Sequence, residues 1–152
     1  MYSVRTATLA DANDVFTITQ EAFLRYSKEL QQRVSALEET ISDIEKDIAE
    51  KTVFVAYVQN QAVGSLRLCE KDGWAYLSRF GVSKNACGDG AGAALLQAAA
   101  GWAHGQGLAG VCLHTASAMR ALVRFYYSHG FYVDSTEKSR GYVRALMVKP
   151  LE

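Results

Sequence analysis

The run Cys87-Gly88-Asp89-Gly90-Ala91-Gly92 puts three glycines into six residues. It follows a strand-like segment, Ala75 to Val82, and opens an alanine-rich helical pattern starting near Ala93. Glycine has no Cβ, so backbone N–H groups in such a run can turn toward a bound anion. A helix N-terminus adds partial positive charge at the same spot. The chemistry these residues suit is the holding of a pyrophosphate.

Three observations bear on which pyrophosphate. Gly88-Asp89-Gly90-Ala91-Gly92-Ala93 fits the dinucleotide pattern G-x-G-x-x-A. That pattern belongs to an opening βαβ unit and expects an acid about 20 residues on. Here the loop follows what reads as an antiparallel meander, and no acid occurs between Gly90 and Val133. A Walker loop is excluded as well, because the run holds no lysine.

A second group sits further along. Met119, Leu122, Val123 and Tyr126 recur at i, i+3, i+4 and i+7, which places Tyr126 on the inward face of a helix. A buried phenol needs a hydrogen-bond partner. Arg120 and Arg124 fall on the opposite face. Contact with phosphates and simple solvation are both open for them.

The elements that must position these groups read as follows. Val4 to Leu9 is a first strand, and Asp11 caps a helix running to Tyr26 or Lys28, with Val15, Ile18, Ala22 and Phe23 on one face. A second helix covers Gln32 to Glu50, its apolar stripe Val34, Leu37, Ile41, Ile44 and Ile48 facing a sheet. Thr52 to Val58, Ala62 to Cys69 and Trp74 to Val82 are strands joined by turns at Asn60-Gln61 and Lys71-Asp72-Gly73. The glycine loop and its helix come next, ending near Gly105 or Gly107. Gly110 to Ala116 is a strand, Ala118 to His129 a helix stopped by Gly130, and Phe131 to Ser135 with Tyr142 to Val148 a closing hairpin. Pro150 falls past that last strand. The order is β-α-α-β-β-β-α-β-α-β-β, an α/β (α+β) arrangement with helices covering a mixed sheet. One domain spans residues 1–152.

Charge is balanced overall but not locally. Residues 29–51 carry seven acids and three bases, a net of −4, whereas residues 90–133 carry no acid and two bases. The acid-free half suits an anionic ligand, and the acidic half inclines toward a cationic one or is a solvated helix face. Nothing in the balance points to nucleic acid. Cys69, Cys87 and Cys112 share no metal-ligand spacing and are odd in number, which favours a reducing compartment, hence the cytoplasm, and no metal. The N-terminus has no apolar run, and no stretch is long enough to span a membrane.

Two motifs together resemble the GCN5-related N-acetyltransferases, over about Val4 to Val148. The family's Arg/Gln-x-x-Gly-x-Gly/Ala falls on Cys87-x-x-Gly90-x-Gly92, after a fourth strand Tyr76-Leu77-Ser78-Arg79-Phe80-Gly81-Val82. Its Tyr-x-x-x-Gly-Phe falls on Tyr126-Tyr127-Ser128-His129-Gly130-Phe131. The resemblance implies an acyl-CoA N-acyltransferase-like fold with a mostly antiparallel sheet. It implies transfer of an acetyl group from acetyl-CoA to a primary amine of a small molecule or peptide.

Under that resemblance, backbone N–H groups of Cys87, Gly88, Asp89, Gly90, Ala91 and Gly92 hold the pyrophosphate. Ser117 joins the cofactor site, standing where an asparagine is frequent. A backbone N–H near Val82, where the fourth strand splays from the fifth, meets the thioester oxygen and the pantetheine. Tyr126 is the acid for the leaving thiolate. The base stays open between Glu21, His114 and water, since Ala75 to Val82 holds no acid. A homodimer is expected on the resemblance alone. Cys87 and Asp89 depart from the family pattern. A misplaced charge at ~10 Å costs on the order of 1–2 kcal/mol at an effective dielectric of ~20. Those departures support a rival reading, a non-catalytic acyl-CoA-binding module.

Overall fold

The computed structural model describes residues 2–88 and 90–151. Asp89, expected in the glycine loop, lies outside the described residues. Seven strands form one sheet: β1 Ser3–Thr6, β2 Thr52–Val58, β3 Gln61–Lys71, β4 Trp74–Val82, β5 Gly110–Ala116, β6 Tyr132–Glu137 and β7 Arg144–Pro150. Their spatial order is β1-β2-β3-β4-β5-β7-β6, and among the described residues only β4 and β5 run parallel. Four α-helices flank the sheet: α1 Ala12–Leu30, α2 Ile41–Glu50, α3 Ala91–Gly105 and α4 Arg120–Ser128. The chain order and the mixed, mostly antiparallel sheet match the expectation from sequence.

Strand alternation divides the core between two faces. Val53 and Val55 of β2 pack with Ala12 and Val15 of α1 and Ile44 of α2. Ala56 faces the other way, into a larger cluster with Leu95, Leu96, Ala99 and Ala103 of α3. Each face is thus covered by the helices that follow or precede the strands it belongs to.

The expected long second helix is two pieces. A 3-10 turn, Ser35–Glu38, is separated from α2 by an extended Glu39 and Thr40. The Thr40 hydroxyl accepts from the Asp43 amide at 3.2 Å while the Asp43 carboxylate accepts from the Thr40 amide at 2.8 Å. This capping box starts a new helix where the apolar period alone predicts a continuous one. Glu39, freed from helical geometry, reaches Arg67.

Arg67 sits mid-β3 with its side chain only 1 % exposed. Its guanidinium donates to both carboxylate oxygens of Glu39, at 2.6 and 2.8 Å, and to Asp47 at 2.9 Å. Removing one partner of such a buried pair costs roughly 3–5 kcal/mol, because the other charge is left uncompensated.

Asp11 does not cap α1 through its side chain. Its carboxylate turns back instead, accepting from the Thr8 amide, the Arg5 guanidinium and the Tyr57 hydroxyl. The first strand ends at Thr6 rather than Leu9 because Thr8 and Asp11 bracket a 3-10 turn. Pro150 is the last residue of β7 rather than lying beyond it. It is tolerated there because β6 pairs only as far as Val148, so no ladder bond to β6 is lost.

Candidate active site

β4 pairs with β5 only across Ala75–Leu77 and Val111–Leu113. Beyond Leu77 a bulge bends β4, with Arg79 at φ 52° and a register shift against β3 between Ser65 and Arg67. The strands therefore part at Ser78, four residues before the expected point at Val82. Ser83 donates its amide to Val63 of β3 at 2.8 Å. Successive strand residues face opposite edges, so the amide of Val82 faces the gap.

The gap opens into a cleft of about 1350 Å³, counting its open mouth, lined by Val82, Cys87, Gly88, Gly90, Gly92 and Ala93 on one side. Gly90 is the N-cap of α3, at φ 100°, a backbone region that side chains with a Cβ rarely enter. The first intrahelical bond runs from Ala94 to Gly90, at 3.0 Å. The amides before Ala94 have no acceptor within the helix. No side chain caps this end and no acid lies in its first turn, which leaves it open to an anion. A Cβ on Gly92 would come within 3.0 Å of the Phe125 ring and 3.2 Å of the Phe80 ring, so glycine lets α3 approach both.

One residue of this cleft has no signature in the glycine motif. Arg25 of α1 donates to the Val82 carbonyl at 2.6 Å and approaches the Cys87 sulfur at 3.8 Å. Glu21 grips it through Nε and Nη2 at 3.0 and 2.8 Å. The chain places a cation beside the position where arginine or glutamine was expected and Cys87 stands. Only the Glu21/Arg25 spacing of four residues hints at it in the sequence, as an ordinary helix pair.

A second cavity, about 850 Å³ counting its open mouth, lies on the other side of a shared wall. Tyr26, Phe80, Met119 and Leu122 line both. Tyr126 lines this second cavity and is 3 % exposed. Its ring packs against Phe80, Phe125 and Phe131, with centroids 5.6–5.9 Å apart. The expected hydrogen-bond partner is missing: among the described residues the phenol bonds to none. Burial pushes its pKa well above the ordinary value of 10.0, so the hydroxyl stays protonated. Tyr26, unremarked in the sequence, is a second such phenol, pushed by burial to about 12.

His114 of β5 also lines this cavity, with Nδ1 2.8 Å from the Tyr76 hydroxyl. Burial and then the charge of Arg144 lower its pKa, so it is neutral at pH 7. Glu21 lines neither cavity, its carboxylate being held by Arg25 and by the Lys84 amide at 2.8 Å. The two candidate bases are thus separated by position, not by type.

Other expectations are corrected. Ser117 lines neither cavity; its amide and hydroxyl both donate to the Val143 carbonyl, at 3.0 and 3.3 Å. Ala91 is fully buried, so only its amide can serve the cleft. Arg120 and Arg124 are exposed and line neither cavity. Among the described residues no His, Cys, Asp and Glu side chains gather as a metal site, and no helix is long and apolar enough to cross a membrane.

A model of the acetyltransferase (GNAT) family matches residues 13–131. Streptothricin acetyltransferase A of Bacillus subtilis (strain 168) is 27 % identical over 126 residues, 82 % of this chain and 70 % of that protein. The PaiA N-acetyltransferase of Thermoplasma acidophilum, solved with coenzyme A, superimposes with a TM-score of 0.87 at 16 % identity over 99 % of both chains. The ribosomal-protein-S18-alanine N-acetyltransferase of Escherichia coli does so with a TM-score of 0.80, at 16 % identity over 100 % of this chain and 95 % of that one.

Proposed function

The chain belongs to the acetyltransferase (GNAT) family and is an acetyl-CoA-dependent acetyltransferase, and on that premise we propose that it acetylates a primary amine by direct attack on the thioester. One observation carries this reading. The uncapped N-terminus of α3 opens into a cleft that shares a wall with a second cavity holding the unpaired Tyr126 phenol.

The residues present fit the donor. Amides of Cys87, Gly88, Gly90, Ala91 and Gly92 would hold the pyrophosphate, and Arg25, although paired with Glu21, would offer its remaining N–H donor beside Cys87. The Val82 edge offers an amide to the pantetheine in strand-like fashion or to the thioester oxygen as negative charge grows there. Phe80, Met119 and Leu122 keep the junction apolar. Acetyl-CoA supplies an acetyl thioester, from which the C–S bond breaks as the acceptor's C–N bond forms.

Two protons must move. The acceptor amine sheds one, and the departing thiolate takes one. Tyr126 donates to the sulfur, its raised pKa keeping it in the acid form. His114 receives the amine's proton directly or through water. In the tautomer whose Nδ1–H donates to the Tyr76 oxygen, Nε2 is free for that proton.

The test is thermal unfolding with saturating acetyl-CoA against NAD, followed by thiol release with a panel of amines. At ~100-fold over its dissociation constant a ligand adds about 2.7 kcal/mol of stability. A shift with acetyl-CoA and amine-dependent thiol release are expected. A shift without thiol release from any amine would favour the non-catalytic binding module.

A further inference from the structure

The charge of the acceptor cavity is one-sided. Arg79, Arg140 and Arg144 line it together with His114, and among the described residues its lining holds no Asp or Glu. The arginines are also incompletely neutralised. Arg79 reaches Glu39 only through Nε, at 3.3 Å, and that carboxylate is already engaged by both terminal nitrogens of Arg67. Arg144, its side chain 15 % exposed, touches Glu137 through a single nitrogen at 3.2 Å. Arg140 makes no ion pair or hydrogen bond with any described residue. Three guanidinium groups therefore keep terminal N–H donors for something else.

The acids of residues 29–51, which in the sequence incline toward a cationic acceptor, do not offset this. Glu38 pairs with Arg33, Asp43 closes the cap of α2, and Asp47 serves Arg67 and Lys51. None of the acids in that segment lines the cavity.

We infer that the acceptor is an amine that also carries an oxyanion, a carboxylate or a phosphate, bound by Arg140 and Arg144 with Arg79 behind them. The inference rests on the reading of this cavity as the acceptor site. Guanidinium groups present paired N–H donors in a fixed fork that matches such oxyanions. A diamine or polyamine would meet like charge at its far end. The same arginines serve the reaction at the near end, because neighbouring positive charge disfavours an ammonium and favours the free amine that attacks. Their influence reaches the reacting groups: Arg144 and Arg140 both act on His114 and on Tyr76.

The experiment is a set of matched acceptors of equal length, each a primary amine ending in a carboxylate, a phosphate, an amide or a second amine. Several chain lengths are assayed by thiol release, with acetyl-CoA binding measured separately by calorimetry. In every set that turns over, an oxyanion-bearing member is expected to exceed the amide by about tenfold or more in kcat/KM. The carboxylate and phosphate arms identify the anion. Arg140→Gln, on an exposed loop, is expected to raise KM for that member about tenfold, and by more than it raises KM for the amide. Arg140→Glu should move the preference toward the diamine. Amide or diamine turnover equal to or above that of the oxyanion members overturns the inference while leaving the acetyltransfer reading intact. Tight acetyl-CoA binding with no turnover of any set overturns that reading, and the inference with it.

Discussion

The donor cleft and the acceptor cavity share Tyr26, Phe80, Met119 and Leu122 as a wall, yet they are made of different material. The donor side is largely backbone: positive-φ glycines, the bare N-terminus of α3 and the freed edge of β4. The acceptor side is side chains drawn from separate elements, Tyr76 and Arg79 from β4, His114 from β5, Tyr126 from α4 and Arg144 from β7. On the proposed reading, backbone geometry meets what any acyl-CoA has in common, and side chains meet what sets one acceptor apart. The difference predicts that changes on the two sides separate kinetically, donor binding on one and catalysis or acceptor choice on the other.

The sharpest probe is Tyr126→Phe. It removes only the hydroxyl from a ring held by three aromatic neighbours, so folding is preserved. We expect kcat to fall about 10²-fold, the low end for loss of an acid–base group, with the dissociation constant for acetyl-CoA unchanged. Tyr26→Phe is the companion measurement. If it, and not Tyr126→Phe, produced the loss, the acid would sit on the shared wall rather than in the acceptor cavity.

Gly90→Val tests the other side. A β-branched residue at φ 100° forces the loop to rearrange. The dissociation constant for acetyl-CoA should rise by about tenfold or more, read by calorimetry. Acceptor KM at saturating acetyl-CoA should hold.

His114→Gln is expected to lower kcat/KM about tenfold at pH 7 and to change its pH dependence. A base works when deprotonated, so the wild-type rate rises with pH through the pKa of His114. Burial and Arg144 hold that pKa below the ordinary 6.5, so the acid limb should lie below 6.5 and vanish in the variant. Persistence of the limb would assign it to another group.

Arg25→Gln should weaken acetyl-CoA binding a few-fold, with a smaller effect at high salt, because the group is partly exposed. The smallest effect is Asp11→Asn, far from both cavities. Arg5, the Tyr57 hydroxyl and the Thr8 amide hold the Asp11 carboxyl below its usual 3.8. A depressed folded-state pKa contributes stability above 3.8 that is lost as pH falls through the folded value. The variant should melt a few degrees lower at pH 7, begin to approach the wild type only as pH falls below 3.8, and keep its kinetics.

Legibility in the sequence followed the same division. The glycine loop, the strand before it and the Tyr126 helix were readable because each is a contiguous pattern whose physics is local. The break between Glu38 and Ile41 was written there too, as Thr40 with Asp43 three residues on, but the apolar stripe masked it. Arg25, Tyr26, Arg140 and Arg144 were silent. Nothing about an arginine in a loop or at a strand start says that it faces a cavity rather than water.

What the sequence by itself determined is the order of elements, the two-faced sheet and the anion-receptive start of α3. Those follow from period, turn chemistry and the absence of side chains, all set within a few residues. The tertiary structure alone decided three things. It brought Arg25 from α1 to the Val82 carbonyl, across 57 positions of chain. It matched Arg67 with its carboxylates while leaving the cavity's arginines short of theirs. It placed His114 in the cavity and held Glu21 outside it, bonded to Arg25 and the Lys84 amide. Charge balance is a property of distance in space, and burial turns that balance into pKa and specificity, so neither can be counted along the chain.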